Sequence, residues 1–225
     1  MLRTTALWMF AAAALLVCAL VLGLRTEASS SPPAGATLGP ESGEVVATYL
    51  RASAADLADA SGGAPRWALL TPTEPLTTAA AAALAAGTRT SRVLLHVDVA
   101  RVQTPLVAVE LADQRGPTAL DKELAGAQRR AGSILTLASV GETGRPSRVD
   151  AVAGARLRAG CACVVGVLLR GSPTALRAVA ARPQARAVQP APAGVSYGRL
   201  AVSPLLPQQT QTVSPGPDDG DVPAR

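Results

Sequence analysis

Cys161 and Cys163 come closest to chemistry by type and spacing. Two thiols two positions apart share a face of a regular strand. In an oxidising compartment such thiols tend to pair. The spacing allows buried thiols, a disulfide, or a redox-active pair. It is not the Cys-x-x-Cys spacing at a helix start that depresses a thiol pKa. His96 and Asp98 also lie two apart on an alternating stretch, where a hydrogen-bonded pair could tune a base, but a lone histidine with no nucleophile pattern beside it reads first as a surface or satisfied strand histidine. His96 with the two thiols falls one short of a four-ligand zinc or copper set, so no metal and no cofactor is expected.

Gly194-Val195-Ser196-Tyr197-Gly198 matches Gly-x-Ser-x-Gly. That motif works as a nucleophile only on a strand, a sharp turn and a helix, with the base histidine later in the chain. Here it stands between Pro192 and Pro204, and the single histidine precedes it. Ser196 reads as a chance match in a chain rich in Gly and Ser. No P-loop, dinucleotide fingerprint or carboxylate cluster is present.

These residues must be placed by a body of unusual composition. Hydrophobic residues make up 48% but aromatics only 2%, so the core is built from Ala, Val and Leu and buries less area per residue. The net charge is +5, carried by the body, while the end of the chain is acidic. Lys122 is the single lysine. A basic body favours anionic lipid headgroups or acidic polymers. Scattered arginines without aromatic platforms argue against nucleic acid.

Residues 6–24, ALWMFAAAALLVCALVLGL, carry no charge. At about 1.5 Å per residue the run reaches roughly 28 Å, near a bilayer's hydrocarbon thickness. It predicts a transmembrane signal-anchor helix, with residues 1–5 as a short cytoplasmic end and the mass of the chain extracytoplasmic. The alternative is a secreted protein cleaved near Thr26-Glu27-Ala28, although the apolar run is long for a signal peptide. Cys18 lacks the small residue before it that a lipoprotein needs. Residues 25–43 read as a Pro/Ser/Gly-rich linker. A domain over 44–206 follows, and 207–225 read as a disordered acidic tail.

Within the domain, 44–60 has helical spacing through Val46, Tyr49, Leu50 and Leu57. Strands are expected at 66–70, 92–99, 105–111, 161–170 and 185–189, and helices at 78–86, 116–139 and 172–182. Residues 141–159, with Gly, Pro and several Arg, read as a loop. The first six elements of the body match a split βαβ order. The predicted fold is therefore α+β: a ferredoxin-like sandwich with an extra C-terminal helix and strand, after one N-terminal transmembrane helix.

RWALL around Trp67, RVLLHVDV with Gln103-Thr104 after it, GCACVVGVLLRG at 160–171 and PLLPQQTQTVSPGPDDG at 204–220 resemble a group of uncharacterised actinobacterial single-pass membrane-anchored proteins. The resemblance implies a cell-envelope location and no particular reaction. The closing unit, a helix followed by ARAVQP, is loosely similar in shape to ferredoxin-like modules such as subtilisin-type propeptides, and such folds host many functions. The missing catalytic alphabet favours a non-enzymatic interaction or accessory module over an enzyme. Its partner is expected to be a protein or envelope polymer, with the membrane held through 6–24. The alternative is a thiol/redox-active or other envelope enzyme using Cys161 and Cys163.

Overall fold

The computed structural model describes residues 35–113, 116–141 and 143–224. The apolar run 6–24 and the linker up to residue 34 lie outside the described residues. The described chain runs β1 (Ala36–Leu38), α1 (Val46–Asp59), β2 (Arg66–Pro72), α2 (Thr78–Leu84), β3 (Arg89–His96), β4 (Leu106–Glu110), α3 (Pro117–Gly141), α4 (Arg145–Ala159), β5 (Val164–Gly171), α5 (Pro173–Ala180), β6 (Ala185–Pro190), a short 3-10 turn (Tyr197–Arg199) and β7 (Leu200–Val202). The fold is α+β.

The main sheet has the order β4-β3-β5-β2-β6, with every neighbouring pair antiparallel. β2 and β3 are thus parallel to each other with β5 between them, and α2 connects them. β5 and β6 are parallel with β2 between them, and α5 connects those. Two split βαβ units interlock. This differs from the expected assignment of that order to the first six elements. β4 lies outside β3 as an edge hairpin strand, and the final helix and strand complete the second unit. Hydrophobicity explains the placement. β2 and β5 are apolar on both faces and occupy the centre, whereas β4 is exposed on alternate residues and takes the edge.

One sheet face carries the larger core. Val93, Leu95, Val164, Val167 and Leu169 meet Leu84 of α2, Leu124 of α3, Leu157 of α4 and Leu176 of α5. Local signals start and stop these helices. Thr77 and Ser172 cap α2 and α5 by accepting from Ala80 N and Ala175 N. Pro173 opens α5 where no amide donor is needed. The opposite face packs Leu69, Leu94, Val165 and Leu168 under Leu38, Val195 and Leu200. Gly166 lets this layer close, because a Cβ there would stand 3.0 Å from Pro204 Cβ.

Three further stretches differ from expectation. Residues 145–159 form α4, not a loop. Val149, Val152 and Leu157 bury one stripe, and Gly160 ends the helix in the left-handed region. The linker stops short of residue 43, since β1 pairs in parallel with β7 and buries Leu38. The acidic tail is laid along the domain. Gly43 N donates to Val213 O, Val213 N to Glu44 O, and Gly220 N to Arg101 O. Val222 packs against the main core. Its aspartates find arginines: Asp218 accepts from Arg145 at 2.9 Å, and Asp219 pairs with Arg101. Among the described residues no helix is long and apolar enough to cross a membrane.

Candidate functional site

Cys161 and Cys163 are joined by a disulfide. They lie in the turn from α4 to β5 and not on the strand itself, which begins at Val164. The turn is set by the helix end: Gly160 N donates to Leu157 O and Cys161 N to Arg156 O, a Schellman-type closure. Cys163 is 3% exposed and Cys161 is half-buried, so the two residues differ in access. Gln128 of α3 reaches under the turn. Its Nε2 donates to Cys161 O at 2.9 Å and lies 3.5 Å from Cys161 Sγ. Gln128 is 2% exposed, and its Oε1 has no hydrogen-bond partner among the described residues.

His96 ends β3 beside this turn, its backbone N donating to Cys163 O. The ring faces the other way and is occupied. Thr104 Oγ1 donates to Val97 O and lies 3.1 Å from His96 Nε2. A threonine hydroxyl has one hydrogen, so Nε2 must be the donor, and the neutral ring carries its proton there. Burial lowers the His96 pKa from its ordinary 6.5, and the nearby Asp98 charge opposes the shift. His96 is 8% exposed and thus a packed, neutral histidine at the floor of a cleft.

That cleft measures about 620 Å³ and is lined by His96, Asp98, Gln103, Thr104, Gln211 and Thr212 among others. One wall is the β3–β4 connection and the other is the 206–217 segment. Arg186 holds the second wall, donating to Leu206 O and Gln209 O. Ser196 is not part of the lining. It is exposed and precedes a three-residue 3-10 turn, so no helix follows it as a nucleophile elbow requires. The fold therefore brings His96 next to the cysteine turn and leaves Ser196 elsewhere. Among the described residues no group of three His, Cys, Asp or Glu gathers as a metal site would.

Sequence reasoning missed Gln128, because a glutamine within a helix carries no mark of burial. It also missed the outer face of α3. Ile134, Leu137 and Val140 are spaced by three and stand 55%, 73% and 81% exposed. The inner stripe of the same helix, through Leu124 and Leu135, is buried. Comparisons with models of protein families, with curated proteins and with solved structures find no match for this chain.

Proposed function

We propose that this chain is a membrane-anchored, extracytoplasmic interaction module that binds a protein partner in the cell envelope. The observation that carries the reading is the exposed apolar stripe of Ile134, Leu137 and Val140 on α3. A monomeric surface scatters its exposed apolar side chains singly, whereas a row on one helix face marks a contact. Covering such side chains contributes on the order of 1.5 kcal/mol each. The uncharged run 6–24 supports the anchor, and the arginine-rich body suits an acidic envelope. The interlocked split βαβ units support a ferredoxin-like core, with β4, α3 and α4 as an insertion that carries the stripe.

A photo-crosslinking residue placed at Leu137 in the membrane-bound full chain tests this. A discrete adduct from that position, absent from the exposed Asp56 position on α1, is expected. It disappears when Val140→Glu is added. Adducts from both positions, or from neither, contradict the reading.

A further inference from the structure

We propose that Cys161–Cys163 is a reducible disulfide that exchanges with a partner dithiol, and that Gln128 favours its reduced form. This stands apart from the α3 stripe and does not depend on it. Three observations carry it. The bridge spans a sequence separation of two. Cross-linking stabilises a fold by restricting the unfolded chain, and so short a loop contributes least. A structural staple is therefore a poor account of its position.

The second observation is Gln128. A buried acceptor without a donor carries a desolvation cost. Gln128 Oε1 is such an acceptor, on the same amide whose nitrogen lies 3.5 Å from Cys161 Sγ. The disulfide sulfur has no hydrogen to give. A Cys161 thiol has one, and reduction places that hydrogen on the sulfur beside this amide. While Cys161 is a thiolate, the Gln128 N–H stabilises it instead. Both contacts favour the reduced state.

The third observation is access. Cys163 is buried and Cys161 is partly open. A partner thiolate attacks Cys161 Sγ, the Cys161–Cys163 bond breaks, and its electron pair leaves on Cys163, which takes up a proton. The second partner thiolate then attacks the partner sulfur of this mixed disulfide and releases Cys161, which is protonated in turn. The partner dithiol becomes a disulfide, and two electrons and two protons reach the cysteine pair.

The experiment uses the full chain in detergent, with Cys18→Ser so that alkylation reads the pair alone. The protein is equilibrated in buffers of reduced and oxidised glutathione, and thiols are counted by intact mass. The native pair is expected to reach equilibrium without unfolding. Gln128→Met keeps the volume and removes both contacts, and is expected to shift that equilibrium on the order of tenfold toward the disulfide. Circular dichroism of the oxidised variant controls for folding. In a second arm, Cys163→Ser is expected to form a mixed disulfide with oxidised glutathione through Cys161. A pair that resists reduction until the protein unfolds overturns the proposal. So does a folded Gln128→Met protein with unchanged equilibrium, or failure of Cys163→Ser to form the adduct.

Discussion

His96 shows how far a single residue could be read from the sequence. Its spacing from Asp98 allows a tuned base, but a lone histidine on a strand reads first as a satisfied one. The fold agrees with that reading, placing the ring under Thr104 with its Nε2 proton committed. The two-residue spacing was visible in advance, but the hydroxyl that occupies the ring was not, because Thr104 arrives from the following loop. A consequence follows for pH. Burial lowers the folded-state pKa below 6.5, so the unfolded chain binds the extra proton more readily. Stability is undiminished by this group above about pH 6.5 and falls as pH drops from there to the folded-state pKa. A thermal melting series across this window should show that loss in the native protein and a flatter profile in His96→Gln. Equal slopes in both proteins would falsify the assignment. Gln128 is the opposite case, since its placement under the cysteine turn had no sequence signature at all.

At the scale of elements, strands were legible and one helix was not. Alternation marked β3, and apolar runs marked β2 and β5, because a sheet imprints its period directly. α4 was hidden by Arg, Pro and Gly, although Pro146 near its start and Gly160 after its end are ordinary boundary signals. Its glycine has a packing reason. A Cβ on Gly154 would stand 2.8 Å from Gly132 O of α3, and one on Gly132 would stand 2.8 Å from Gly154 O. The two helices cross at these glycines, backbone against backbone. Gly154→Ala should therefore cost about 1–3 kcal/mol in denaturant unfolding, the scale of overpacking. Gly126 on α3 offers the contrast, since its Cβ would meet only the guanidinium at the far end of the long Arg130 side chain, at 3.3 Å. Gly126→Ala should be neutral or stabilising by up to about 1 kcal/mol, the difference in helix propensity. A matching loss in both variants would remove the crossing as the cause.

For the molecule as a whole, the order of predicted elements gave the α+β class, and composition gave the separation of an apolar start from a basic body. It misread the acidic end. Low apolar content predicts disorder when a segment must bury a core of its own. Here the core already exists, and the tail needs only arginines, backbone partners and the contact of Val222. Deleting residues 217–225 should leave the sheet intact while hydrogen exchange at the Gln103 amide rises, because that N–H donates to Asp218 Oδ1. Unchanged exchange there would show that the tail does not hold the loop.

The central claim, a domain held outside the membrane, is tested most directly at Lys122. It is the single lysine of the chain and is exposed on α3. Spheroplasts of an expressing host are treated with a membrane-impermeant amine reagent, and the labelled peptide is identified by mass, with Lys122→Arg as control. The account predicts labelling of Lys122 before lysis, on protein that sediments with the membranes. Labelling of Lys122 only after lysis would place the domain inside and contradict it.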